Sequence, residues 1–239
     1  GSADEAAIDP LCHTLVGATL ARSGLSRRTA LGTATLLIGA NLPDIDVFTV
    51  FDGPAASLSF RRGWTHGIPA VIVLPFVLAG AVVLFDRLVR RLGRATLPST
   101  VAPRQVLLPA GISVLTHPTL DTLNTYGLRW LMPFSERSFY GDVLFIVDPW
   151  LWIVLALGFA LSGGRPRSRG MARRGSRPAR VALLTASGYI IVMALTGWMA
   201  RRIAARELTT LPGERVEALM AGPAPFTPMV RNIVAAQES

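Results

Sequence analysis

Three long apolar runs constrain this chain more than any other feature of its sequence. Residues 68–85 and 181–200 contain no charged side chain, and residues 143–162 contain only Asp148. A helix needs about 20 predominantly apolar residues to cross the hydrocarbon core of a bilayer. We therefore predict an all-α, polytopic membrane protein rather than a soluble domain of 239 residues.

The hydrophobic pattern predicts six helices, at residues 10–22, 29–40, 68–90, 105–126, 143–162 and 181–206. The first two are too short to cross a bilayer upright at about 1.5 Å per residue. We expect them to form a short hairpin beside about four spanning helices.

The positive charge is distributed unevenly along the chain. All 24 basic residues are arginine, the net charge is +9, and the arginines concentrate at residues 22–28, 87–104 and 165–180. These are alternate loops, so the positive-inside rule makes them cytoplasmic. No stretch interleaves arginine with stacking aromatic residues, which argues against nucleic-acid binding.

We predict a membrane core at 9–162, an Arg-rich cytoplasmic linker at 163–180, a last transmembrane helix at 181–206 and an outer-face tail at 207–239. That tail is either a small segment or the first part of a soluble domain.

Histidine and aspartate side chains recur at the opposite, outer ends of the predicted helices. The three histidines and the aspartates concerned are His13, Asp44, Asp46, His66, His117, Asp121 and Asp148. Ionisable groups in membrane segments are costly and usually functional. Imidazole nitrogens and carboxylate oxygens suit zinc or another divalent ion, and two ions sharing an aspartate would suit phosphoester cleavage. Taken singly, these residues are also explained as helix–helix hydrogen bonds and helix caps.

Five ordered motifs carry a resemblance to a known family. They are DPLCH (residues 9–13), NLPDID (41–46), RGWTH (62–66), HPTLDTLNTYG (117–127) and DP (148–149). With these motifs the chain resembles the YdjM-like bacterial inner-membrane proteins, with a distant similarity to zinc-dependent phospholipase C. The resemblance implies metal-dependent hydrolysis in the inner membrane. It also implies a set of metal ligands, namely His13, Asp44, Asp46, His66, His117 and Asp121.

Together these observations predict a multi-pass enzyme that hydrolyses a phosphoester of a lipid near the outer face of the inner membrane. One or two divalent ions, zinc or else manganese or calcium, would activate the water. Asp46 or Asp148 would orient that water. Arg62, or else Arg61 or Arg137, would hold the phosphate, although these arginines are equally explained as anchors to lipid headgroups. The alternatives are a membrane metallopeptidase or amidase, an ion or proton relay, and a scaffold held by metal. The sequence leaves the oligomeric state open.

Overall fold

The computed structural model describes residues 10–53, 59–94, 100–163, 175–208, 216–224 and 226–237. Asp9 and most of the predicted cytoplasmic linker lie outside these residues. The described chain forms an all-α bundle followed by a two-stranded hairpin, which confirms the predicted fold class.

Six α-helices make up the bundle: α1 (Pro10–Arg22), α2 (Gly32–Asn41), α3 (Ile68–Arg91), α4 (Pro103–Leu123), α5 (Pro149–Leu161) and α6 (Arg177–Leu208). A 3₁₀-helix, Leu42–Asp52, continues directly from α2. The strands β1 (Val216–Ala224) and β2 (Thr227–Gln237) pair antiparallel.

Within the described residues, three helical segments are long and apolar enough to cross a membrane: Gly32–Phe51, Ile68–Arg91 and Arg177–Leu208. The first differs from the expected short hairpin, because the 3₁₀-helix extends α2 to 20 residues. The fifth helix also differs, since it begins at Pro149 and has 13 residues. Asp148 is the reason: its carboxylate accepts a hydrogen bond from the Leu151 amide at 3.0 Å, as an N-cap does. Residues 143–148 therefore form a non-helical approach to α5.

The described part of the bundle has two apolar clusters, and α2 packs between them. One apolar cluster joins α1, α5 and α6, and a second joins α3 and α4. Helix α2 packs against both α1 and α4. At the α1–α2 contact a Cβ added at Gly17 would lie 2.7 Å from the Leu36 carbonyl oxygen, so only glycine permits this approach.

The C-terminal hairpin packs against α6 through Arg231. Its guanidinium donates to the Met193 carbonyl at 2.6 Å, to Thr196 Oγ1 at 2.9 Å and to the Asp142 carbonyl at 2.8 Å. Asp142 also forms an ion pair with Arg201 of α6. The predicted tail thus contains a hairpin that contacts both α6 and the segment leading to α5.

Candidate metal centre

Four side chains converge at one end of the bundle and present donor atoms to a common point. They are Asp44, His66, His117 and Asp121, whose ligand atoms all lie within 4.8 Å of one another. His66 Nε2 is 3.1 Å from His117 Nε2, and Asp44 Oδ1 is 3.7 Å from the first and 3.3 Å from the second. Asp121 Oδ2 is 3.5 Å from His66 Nε2 and 3.6 Å from His117 Nε2. The edges of a zinc tetrahedron with bonds of about 2.0–2.1 Å measure about 3.3 Å, so the four donors fit one ion.

Three local structures position the four side chains. Asp44 lies in the 3₁₀-helix after α2, and His66 lies in the turn before α3. His117 and Asp121 are four residues apart on α4, where a helix places both on one face. Pro118 lies inside this helix without ending it, so His117 and Asp121 stay on the same face.

Hydrogen bonds orient His117 so that Nε2 faces the site. Its Nδ1 lies 2.7 Å from the Ala40 carbonyl oxygen, which can only accept a hydrogen bond. The proton therefore resides on Nδ1, and the lone pair of Nε2 is directed towards the other three donors. Such partners on the far ring nitrogen are typical of metal-bound histidine.

His66 is oriented through a threonine and a second aspartate. Its Nδ1 lies 2.9 Å from Thr65 Oγ1 and 3.3 Å from Asp46 Oδ2. The Thr65 hydroxyl and the Arg62 amide donate to that same carboxylate oxygen, at 2.8 and 2.9 Å. Because Thr65 uses its proton on Asp46, its oxygen is available to accept the proton of His66 Nδ1. The structure therefore places Asp46, predicted as a ligand, on the far side of the His66 ring.

The electrostatics favour a cation. His66, His117 and Asp121 are buried, and the Asp44 side chain is only 15% exposed. Burial lowers the pKa of His66, but hydrogen bonds with the Asp44 and Asp46 carboxylates outweigh it and raise that pKa to about 9. Two buried carboxylates with two imidazoles form a donor set that a divalent ion balances. The second oxygen of Asp44 is buried without a hydrogen-bond partner among the described residues.

His13 lies beside this cluster. Its ring stacks on that of His117 with centroids 3.7 Å apart, and its Nε2 is 3.3 Å from Asp121 Oδ1. Asp121 thus directs one oxygen into the four-donor cluster and the other to His13. The Nδ1 atom of His13 is buried without a hydrogen-bond partner among the described residues.

A cavity of about 30 Å³ adjoins the cluster. This exceeds the about 10–15 Å³ that a cavity needs to hold one water molecule. The residues that line it include His13, Arg62, Asp121, Asn124 and Asp148. Asp148 is engaged on both oxygens, because Tyr189 donates to the second one at 2.8 Å while the first caps α5.

Sequence patterns did not single out two of the supporting groups. The Ala40 carbonyl could not be identified, because it is a backbone atom whose orientation depends on how α2 ends. Thr65 stands next to His66 in the RGWTH motif, and this adjacency was the available signal.

The fold and the cluster define an integral membrane protein of α-helices with a buried His/Asp group that can hold a metal ion. The chain belongs to the YdjM inner membrane protein family, whose family model matches residues 8–202, as the motifs predicted. One curated relative is the uncharacterized protein YfhP of Bacillus subtilis (strain 168), 26% identical over 132 residues. The match covers 54% of this chain and 37% of the relative, so the chain spans well under half of that protein's length. No solved structure gives a significant match.

Proposed function

We propose that the protein is a metal-dependent hydrolase that cleaves a phosphoester of a membrane lipid at the outer face of the inner membrane. The observation that carries the proposal is the group of four donors within 4.8 Å of one another, with both histidines oriented by hydrogen bonds on their far nitrogens. A divalent ion held there would lower the pKa of a bound water and polarise a phosphoryl oxygen.

Arg62 supports a phosphate-bearing substrate. It lines the cavity next to Asp121, and its backbone amide holds Asp46. Its guanidinium donates to the Gly127 carbonyl at 3.3 Å and lies over the Tyr126 ring, 5.5 Å from the centroid. These contacts fix a planar cation beside the metal cluster, and guanidinium binds phosphate through paired hydrogen bonds.

His13 and Asp148 both line the cavity, and His13 is the one better suited to act on a water there. The free Nδ1 of His13 can accept a hydrogen bond from a water in the cavity, while Asp121 holds the other ring nitrogen. A second ion between His13 and Asp121 is the two-metal form of the same proposal. Asp148 lies in the cavity wall, but its two existing hydrogen bonds suit shaping of the site better than proton transfer.

The outer-face location is supported by the separation of charges along α1. His13 lies near the first turn of this helix, and Arg22 is its last residue. At about 1.5 Å per residue the two are about 14 Å apart along the axis. The arginine end contacts the start of α6, since Arg180 donates to the Ser23 carbonyl at 2.9 Å. Positive-inside orientation then leaves the His/Asp end facing outwards.

A scaffold role for the metal is the second candidate, because four donors can fill a tetrahedral shell completely. Substitution with cobalt(II) separates the two candidates. An absorption spectrum of five-coordinate cobalt that changes on adding phosphate supports an open, catalytic site. A tetrahedral spectrum insensitive to phosphate supports a closed, structural one.

The decisive experiment is metal content and hydrolysis measured on the same detergent-purified protein. We expect about one equivalent of a transition metal, or two for the two-metal form, with release of product from a screen of phospholipids and isoprenoid phosphates. His117→Ala and Asp44→Ala should lose both metal and activity. Asp86→Asn removes another buried carboxylate, which pairs with Arg90 at the end of α3, and should retain both. Absence of bound metal after reconstitution with zinc, manganese and calcium would refute the hydrolase proposal.

A further inference from the structure

A second, larger cavity lies outside the metal centre, between α1, α2 and α5. Its volume is about 700 Å³, within the range of about 300–1,000 Å³ that is typical of ligand sites. Leu15, Ala18, Leu37 and Phe159 give it apolar walls. Both arginines of the lining, Arg22 and Arg27, lie at one end, and Thr14 lies at the other. This cavity, called the groove below, is therefore amphipathic along its length.

Arg22 forms one side of the polar end. Its guanidinium lies over the Phe159 ring, 5.0 Å from the centroid, and donates to the Gly163 carbonyl at 3.3 Å. Phe159 and Gly163 also line the groove, so these contacts hold the cation at its mouth.

Arg27 and Arg180 bring further positive charge to the same end. Arg27 lines the groove and donates to Ser176 Oγ at 2.6 Å. A Cβ built on Gly24 would lie 3.4 Å from Arg180 Nη2 and 3.8 Å from Arg27 Nη1. The two guanidinium groups therefore approach a common point, although like charges repel.

The surrounding sequence supplies almost no negative charge. Residues 10–43 and 149–206, which contain α1, α2, α5 and the part of α6 up to 206, include no aspartate or glutamate. Three arginines occur at residues 22–28 and seven at 163–180. An anion at this end would relieve the repulsion between the guanidinium groups.

We propose that this groove binds one anionic phospholipid, with its phosphate at Arg22 and Arg27 and an acyl chain along Leu15, Ala18 and Leu37. A free phosphate would use the arginines but leave the apolar walls empty. The groove runs about 10 Å from Leu15 to Arg22 along α1, at about 1.5 Å per residue, and lies among helices of a membrane bundle. Basic pockets between membrane helices are known to bind anionic headgroups. This site is separate from the proposed hydrolase centre, and the bound lipid is a ligand rather than a substrate.

The test is native mass spectrometry of the full chain titrated with phosphatidylglycerol, with phosphatidylcholine of the same acyl chains, and with glycerol phosphate. The double variant Arg22→Gln/Arg27→Gln should bind phosphatidylglycerol at least tenfold more weakly. The control Arg87→Gln/Arg94→Gln removes the same charge from exposed positions in the last turns of α3 and just after it, and should bind as the wild type does. Size-exclusion profiles and helical circular dichroism check that each variant is folded.

A second pair of variants tests the acyl part of the groove. Thr33 lines the groove from an exposed position on α2, whereas its exposed neighbour Ala34 does not line it. Thr33→Trp should reduce phosphatidylglycerol binding at least tenfold, and Ala34→Trp should leave it unchanged.

Three results would overturn the proposal. One is equal affinity for phosphatidylglycerol and phosphatidylcholine. Another is binding of glycerol phosphate that matches the lipid, which would indicate a simple anion site. The third is a wild-type dimer that Thr33→Trp dissociates, which would show that a second copy fills the groove. None of these results depends on whether the protein binds metal or hydrolyses a substrate, so the lipid site can fail or hold independently of the proposed function.

Discussion

Replacement of Asp46 by asparagine distinguishes two roles of this residue: orienting the His66 ring, or binding the metal directly. In the structure its Oδ2 accepts hydrogen bonds from the Arg62 amide and the Thr65 hydroxyl and faces His66 Nδ1. Asparagine keeps a carbonyl oxygen for the two donors but removes the negative charge beside His66. The imidazole becomes a weaker base, and removing such a partner costs about 10–100-fold in metal affinity. This loss in affinity corresponds to about 1.4–2.7 kcal/mol of metal-binding free energy.

Competition titration of zinc against a chelator of known affinity measures this change in detergent solution. His117→Ala defines complete loss of the site, and Asp86→Asn defines the effect of removing an equally buried but distant carboxylate. An Asp46→Asn protein that loses zinc as completely as His117→Ala would refute the orienting role and make Asp46 a ligand, as the family resemblance implied. Wild-type affinity would refute both roles.

Three further perturbations follow from the packing, the charge and the hairpin. Gly17→Ala should destabilise the bundle by about 1–3 kcal/mol because its Cβ would crowd the α1–α2 contact, whereas Gly111→Ala has open space and should be near neutral in thermal unfolding. Protonated His66, with its pKa raised to about 9, stabilises the metal-free fold below about pH 6.5, and this contribution is lost as the pH rises through 9. Zinc affinity should therefore rise by up to about tenfold per pH unit between pH 7 and 9, and a flat profile in the chelator titration would contradict this assignment. Arg231→Met should increase hydrogen exchange in β1 and β2 by about tenfold or more, while Arg206→Met should not; equal exchange in both variants would show that Arg231 does not hold the hairpin.

The membrane character and the approximate position of the site followed from the sequence alone. Uncharged runs of about 20 residues form helices in a lipid environment, because a helix pairs every backbone polar group internally where no water is present. Arginine-rich loops alternate with ends that carry His13, Asp44, His66 and Asp121, so a shared side could be inferred without coordinates.

The boundaries of some helices required the folded chain. Residues 143–162 are apolar enough to predict one long helix, yet α5 begins only at Pro149, because the Asp148 carboxylate caps it. Conversely, α2 looked too short to cross a bilayer, but its 3₁₀ continuation supplies the missing length. Both differences arise from local hydrogen bonds that hydropathy does not register.

The different positions of Asp44 and Asp46 around the histidine rings also depended on tertiary structure. The family resemblance assigned Asp44 and Asp46, two residues apart in the sequence, the same role as metal ligands. In the fold, Asp44 faces both histidine Nε2 atoms, while Asp46 faces the opposite nitrogen of His66. Residue type and spacing determined that carboxylates and imidazoles would meet at one end of the bundle. Only the packing of three separate segments, namely the 3₁₀-helix, the turn before α3, and α4, decided which atom of each side chain faces the common point. That choice depends on positions set by contacts far apart in the chain.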